Sequence, residues 1–156
     1  LIDILKKMGA KLKVSKNSIK VFKGSKLKSI SLSTSPYPGF PTDLQAQLMS
    51  LMCISDGKSK IKETIFENRF MHVPELNRLG ANITVEKDTA TIIGNQTFKG
   101  AQVMASDLRA SISLVLAAMN ANGQTTLNRV YHLDRGYENI EKTLGSLGAK
   151  IKRQKN

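Results

Sequence analysis

Pro36-Tyr37-Pro38-Gly39-Phe40-Pro41-Thr42-Asp43-Leu44-Gln45-Ala46-Gln47 is the stretch on which the fold turns. Three prolines and a glycine within six residues forbid a regular element and predict a stiff, shaped loop. Thr42 with Gln45 three positions later is a capping-box pattern, and Leu44, Leu48, Met49, Leu51 and Met52 follow at helical spacing. This predicts a helix over 42–56 with Asp43 in its first turn, where unpaired N–H groups and the helix dipole favour a negative charge. Alone, that is only a helix-starting aspartate. The arrangement occurs twice, because Ser106-Asp107-Leu108-Arg109-Ala110 opens a second apolar helix, predicted over 107–122.

Working outward, the duplication extends to most of the chain. Leu5-Lys6-Lys7-Met8-Gly9-Ala10-Lys11-Leu12 matches Leu76-Asn77-Arg78-Leu79-Gly80-Ala81-Asn82-Ile83, and both match Leu144-Gly145-Ser146-Leu147-Gly148-Ala149-Lys150-Ile151. The helix starts recur at 107 − 43 = 64 residues, Arg69 and Arg135 at 135 − 69 = 66, and the Gly-Ala pairs at 148 − 80 = 68. Each unit is expected to run helix, strand, arginine-bearing loop, helix, strand hairpin. The division is 1–35 for the tail of a first repeat, 36–104 for a second and 105–156 for a third.

Within that frame, Leu1 to Met8 reads as a helix stopped at Gly9, and period-two alternation predicts a hairpin over 11–22. Further strands are expected at 27–32, 59–66, 101–104, 125–130 and 150–153, with a second hairpin over 83–93. A helix from Pro74 to Leu79, a loop over 131–136 and a helix over 137–147 complete the reading. The fold class is α+β: an inside-out repeat domain, with long helices apolar on nearly every side enclosed by mixed sheets.

A chain of 156 residues with 40% hydrophobic and 5% aromatic content supports an ordinary aliphatic core. No apolar run approaches the eighteen or so residues of a membrane span. The single cysteine, Cys53, lies on an apolar helix and reads as a buried thiol. The net charge of +12 raises nucleic-acid binding as an alternative. Against it, lysines outnumber arginines eighteen to six, no aromatic is interleaved with them, and they read as solvated faces. His72 and His132 lack carboxylate or cysteine partners at ligand spacing, so neither a metal nor a cofactor is expected.

These residues carry a resemblance. The Pro36–Asp43 loop, Phe66-Glu67-Asn68-Arg69-Phe70-Met71-His72-Val73-Pro74-Glu75-Leu76, Ser106-Asp107-Leu108-Arg109-Ala110-Ser111 and Tyr131-His132-Leu133-Asp134-Arg135-Gly136-Tyr137-Glu138 resemble, in order and spacing, the bacterial enolpyruvyl transferases. They favour the branch whose acceptor is UDP-N-acetylglucosamine over the one acting on shikimate 3-phosphate. The resemblance implies a cytoplasmic bacterial transferase of the first committed step of peptidoglycan synthesis, hence of cell-wall biogenesis and cell division. It also implies two similar domains, each of three repeats, closing on the substrates like a clamp. The chain begins at Leu1 and corresponds to the C-terminal part of one domain, so a fragment or processed chain is expected. Roughly the first three-fifths of a full enzyme would then be absent, with the family's lysine and its lid-loop cysteine, whose context Cys53 does not match. The fragment alone is expected to be inactive.

The family reaction moves an enolpyruvyl group from phosphoenolpyruvate to the sugar 3′-hydroxyl through a tetrahedral intermediate. By resemblance, Asp43 is the base or orienter of that hydroxyl. Arg69 and Arg135 engage phosphoenolpyruvate, guanidinium forks matching carboxylate and phosphate. Arg109 supports the same pocket, Asp107 orients an arginine, and Ile65 contacts the nucleotide through its backbone. The expected partners are the two substrates and the missing N-terminal part of the same enzyme.

Overall fold

A computed structural model describes residues 1–24 and 26–154. Helix α1 (Ile2–Lys7) ends at Gly9, and the hairpin of β1 (Leu12–Val14) and β2 (Ile19–Val21) follows with Leu12 opposite Val21. Strand β3 (Ser31–Ser33) leads through the proline loop and a 3₁₀ turn (Thr42–Leu44) into α2 (Gln45–Ile54), and the chain returns as β4 (Lys58–Lys62), parallel to β3. Helix α3 (Val73–Arg78) precedes the antiparallel hairpin of β5 (Asn82–Glu86) and β6 (Thr89–Ile93), completing a sheet of order β3-β4-β6-β5. A second parallel crossover runs from β7 (Gln102–Met104) through α4 (Leu108–Met119) to β8 (Thr126–Asn128), followed by α5 (Tyr131–Asp134) and α6 (Ile140–Ser146).

The repeat is therefore structural as well as sequential. Gly9, Gly80 and Gly148 end equivalent helices at φ of +95°, +98° and +95°, a backbone region that a side chain would strain. The two long helices lie side by side as the interior of the α+β repeat fold, with sheets around them. Seven of the ten residues of α2 are buried, and the half-buried Gln47, Leu51 and Ile54 share one face. Small residues permit the close approach, and the Ser50 hydroxyl donates to the Ser113 carbonyl of α4 at 2.9 Å. Ile61 and Ile92 from the sheet, Leu76 and Leu79 from the α3 end, and Leu114 from α4 close over Met49, Met52 and Cys53. On β4, Ser59 and Ile61 turn inward while Lys58, Lys60 and Lys62 face water. All nine lysines of the first 28 residues are exposed.

Several element boundaries differ from the expectation. The strand expected at 27–32 forms its ladder at Ser31–Ser33, with an isolated bridge at Lys28–Asp56, because the Ile30 N–H is taken by the Ser59 hydroxyl of β4 rather than by a backbone carbonyl. The capping box does not form: Thr42 turns its hydroxyl toward Glu63, and the helix opens as a 3₁₀ turn behind Pro41. The strand expected over 59–66 stops at Lys62, where the Glu63 carboxylate takes the Ile65 and Phe66 N–H groups. Residues 131–134 are a short helix rather than a loop, anchored by buried Leu133 against Ile112, Val115 and Ile140. The following helix starts at Ile140, behind a left-handed Asn139. No ladder forms over 150–153; Arg153 instead clamps Asp134 and Glu141.

Candidate functional site

The proline loop is closed by its own backbone. Ser35 N–H donates to the Phe40 carbonyl at 2.9 Å and Gly39 N–H to the Pro36 carbonyl at 2.7 Å. A Cβ on Gly39 would fall 1.7 Å from the Ser35 Oγ, so only glycine fits this turn. Buried Phe40 then anchors the loop to the core, and Thr42 and Asp43 emerge on the turn before α2.

Across from them is the start of α4, where Asp107 is a true N-cap. One of its oxygens accepts from Arg109 N–H at 2.8 Å and Ala110 N–H at 3.1 Å. Burial raises the Asp107 carboxyl, but those N–H groups, the Ser106 hydroxyl and the nearby His72 outweigh it and hold it below the usual carboxylate range. Asp43 and Asp107 thus occupy matching positions with opposite duties. Asp107 turns inward to its own helix, whereas Asp43 is exposed and turns across the gap.

There it meets two cations. The Arg109 Nε donates to Asp43 Oδ1, and the Arg69 guanidinium approaches the same oxygen at 3.5 Å. Arg69 also donates from Nε to the Thr42 hydroxyl at 3.3 Å and lies 4.5 Å over the Phe66 ring. Below this cluster is a narrow cleft lined by Thr42, Gln45, Arg69, His72, Asp107 and Arg109, among others. Buried Gln45 lines it with an amide nitrogen that has no hydrogen-bond partner among the described residues. His72 packs its Nε2 3.3 Å from the Met49 sulfur, and burial pushes it down to about 4. It is neutral at physiological pH.

The structure thus brings Asp43, Arg69, Arg109 and Asp107 together. Ile65 lies on the loop beyond β4, outside the cleft lining, with its N–H held by Glu63 at 2.9 Å. Arg135 is not in the cluster. It is exposed at the end of α5, beside Gly136, whose Cα sits against Leu108 at the head of α4. Asp107 touches the Arg109 backbone rather than its guanidinium. Sequence reasoning missed Thr42, Glu63, Phe66 and Gln45; Thr42 meets Glu63 and Arg69 across 21 and 27 residues of sequence and Thr34 meets Glu63 across 29, whereas Phe66 meets Glu63 and Arg69 locally. Cys53 is fully buried and pushed up to about 12, which makes it inert as a nucleophile. Among the described residues no group of three or more His, Cys, Asp or Glu side chains could hold a metal ion, and no helix is long and apolar enough to cross a membrane.

Residues 1–144 match the family described as EPSP synthase (3-phosphoshikimate 1-carboxyvinyltransferase). The chain belongs to the EPSP synthase family. Within that family, a UDP-N-acetylglucosamine 1-carboxyvinyltransferase of Pelagibacter ubique is 59% identical over 152 residues, covering 97% of this chain and 36% of the relative. A protein of the same name from Thermodesulfovibrio yellowstonii is 56% identical, again over 97% of this chain and 36% of its own length. The chain therefore spans little more than a third of the curated relatives it matches. Among solved structures, the enolpyruvyl transferase NikO from Streptomyces tendae superposes with a TM-score of 0.90 at 31% identity, over 97% of this chain and 35% of its own. An EPSP synthase from Acinetobacter baumannii shares the fold, with a TM-score of 0.72 at 18% identity over 98% of this chain and 36% of its own.

Proposed function

We propose that this chain forms the acceptor-side wall of an enolpyruvyl transferase that moves the enolpyruvyl group of phosphoenolpyruvate to the 3′-hydroxyl of UDP-N-acetylglucosamine. The observation that carries the reading is the convergence of Arg69 and Arg109 on one oxygen of exposed Asp43. Two guanidinium groups and the unpartnered Gln45 amide suit a small dianion, and the remaining oxygen of Asp43 suits a sugar hydroxyl.

In this mechanism the sugar hydroxyl adds to C2 of phosphoenolpyruvate while a proton is delivered to C3, giving a tetrahedral intermediate. Loss of phosphate and of a C3 proton then restores the double bond in the product. Asp43 orients the hydroxyl and takes its proton. Arg69 and Arg109 hold the carboxylate and phosphate oxygens, and Arg135 joins them from the end of α5 when the second domain closes. Ile65 meets the nucleotide through its backbone. By resemblance, the acid for the methylene carbon is a lysine that, with the lid cysteine, belongs to the N-terminal part of the complete enzyme.

The names of the relatives at 56–59% identity favour the nucleotide-sugar acceptor over shikimate 3-phosphate. A cytoplasmic role in peptidoglycan synthesis, which the family resemblance implies, is part of the same proposal. The repeat division, 1–35, 36–104 and 105–156, belongs to the same proposal. An apolar groove of about 260 Å³ between α1, α2 and α4, lined by Leu5, Leu44, Leu51, Phe98 and Leu116 among others, fits a third long helix of the same domain.

The experiment is phosphate release by the complete enzyme with phosphoenolpyruvate and either UDP-N-acetylglucosamine or shikimate 3-phosphate. Release only with the nucleotide sugar supports the proposal, and release only with shikimate 3-phosphate overturns it. A complex with an unrelated oligonucleotide that dissolves between low and high salt would instead favour the basic-domain reading.

A further inference from the structure

Glu63 is 4% exposed at the end of β4, and none of the ion pairs among the described residues includes it. A buried carboxylate without a cation is costly unless donors surround it. Four do. Its Oε1 accepts from the Thr34 hydroxyl at 2.8 Å, from Ile65 N–H at 2.9 Å and from Phe66 N–H at 3.3 Å, and its Oε2 accepts from the Thr42 hydroxyl at 2.9 Å. Thr34 is itself locked, accepting from Thr64 N–H at 2.9 Å and, on its carbonyl, from the Thr64 hydroxyl at 2.6 Å.

We propose that Glu63 is the positioning residue of the site, setting the Arg69 guanidinium and the Ile65 carbonyl at once. The inference rests on the functional reading above for what those two groups bind, but not for the contacts themselves. Two routes lead to Arg69. Because Thr42 gives its only proton to Glu63, its lone pairs are left to face Arg69 Nε, 3.3 Å away. Because Glu63 holds the Phe66 backbone, the ring that underlies the guanidinium at 4.5 Å is fixed as well. The third effect follows from peptide planarity. In a trans peptide the Phe66 N–H and the Ile65 C=O point in opposite directions, so a donor aimed at buried Glu63 turns that carbonyl outward to meet a ligand.

A glutamine could not replace this carboxylate without loss. Its amide nitrogen would face the Thr42 hydroxyl, which then has no acceptor and turns its proton against the Arg69 donor. Glu63 therefore fixes the polarity of the relay as well as its geometry.

The test uses the complete enzyme, labelled with ¹⁵N-arginine. Thr42→Val cuts the relay while leaving Glu63 its other three donors, Thr42→Ser restores it, and Glu63→Gln disturbs both arms. In Thr42→Val the Arg69 Nε–H exchanges with water about three- to tenfold faster, the worth of one hydrogen bond, and Thr42→Ser returns it to the wild-type rate. In kinetics, Thr42→Val raises the KM for phosphoenolpyruvate by about three- to tenfold and leaves that for the nucleotide sugar within about twofold, whereas Glu63→Gln raises both. An unchanged Nε–H in Thr42→Val, or equal effects of Thr42→Val and Glu63→Gln on both substrates, overturns the proposal. A wild-type enzyme without transfer activity, but with the expected Nε–H response, sinks the functional reading and leaves the positioning contact standing.

Discussion

Arg109 Nε and Asp43 Oδ1 form an ion pair across 66 residues of sequence, two residues beyond the 64-residue spacing of the two helix starts. Each residue belongs to the first turn region of a long buried helix, and the two helices run side by side. A duplication that stacks equivalent helices also stacks their starts. The site is thus a consequence of the repeat, made from one position that turned outward and one that turned inward.

The helix contact that holds those starts together is polar at its centre. Ser50→Ala removes the hydroxyl without adding bulk and deprives the buried Ser113 carbonyl of that donor. Stability should fall by about 1–3 kcal/mol. Urea unfolding of the wild type and the variant measures it, and a change below about 0.5 kcal/mol would show that the hydroxyl is dispensable.

His72 makes stability depend on pH. It is buried and pushed down to about 4, while in the unfolded chain it titrates at its ordinary 6.5. Between those values the unfolded state binds the extra proton. Its contribution is therefore complete above pH 6.5 and is lost as pH falls toward 4, amounting to on the order of 3 kcal/mol. His72→Gln should flatten that part of the profile. A wild-type curve that is flat from pH 7 to 5 would contradict this account.

Much of this was legible in the sequence, and the omissions share a cause. The Gly-Ala pairs, the two helix starts and the hairpins are set by local chemistry, namely positive φ, period-two alternation and apolar spacing, and all appear within three residues of the expected positions. The Thr42–Gln45 capping box was misread because a buried carboxylate 21 residues away outcompetes the local N–H for the Thr42 hydroxyl. The same carboxylate ends β4 early. Residues 131–134 looked like a loop because the turn is held by tertiary contacts, its buried Leu133 packing on Ile112, Val115 and Ile140. The repeat spacing and the resemblance put Arg135 with Arg69. The structure leaves it exposed on α5, a separation that no spacing argument reveals.

The 156-residue chain by itself should expose the groove between α1, α2 and α4. We expect it to bind an apolar dye and to self-associate, because Leu51 and Leu116 line a face that a third helix would cover. Light scattering and dye fluorescence against the complete enzyme check this. A monodisperse, dye-free monomer with a sharp reversible melt would count against the repeat division.

The central claim is that Asp43 acts on the acceptor hydroxyl while the arginines hold phosphoenolpyruvate, and steady-state kinetics of the complete enzyme with each substrate varied test it most directly. Asp43→Asn keeps an oxygen for Arg109 but removes the charge that draws the sugar proton. Turnover should fall by roughly a hundred- to ten-thousand-fold, with nucleotide-sugar affinity changed by less than about tenfold. Arg135→Lys keeps the charge and loses the fork, so phosphoenolpyruvate capture should weaken by about ten- to a hundredfold through KM as well as kcat. Near-normal turnover in Asp43→Asn would contradict the account and return Asp43 to the role of an exposed partner for two arginines.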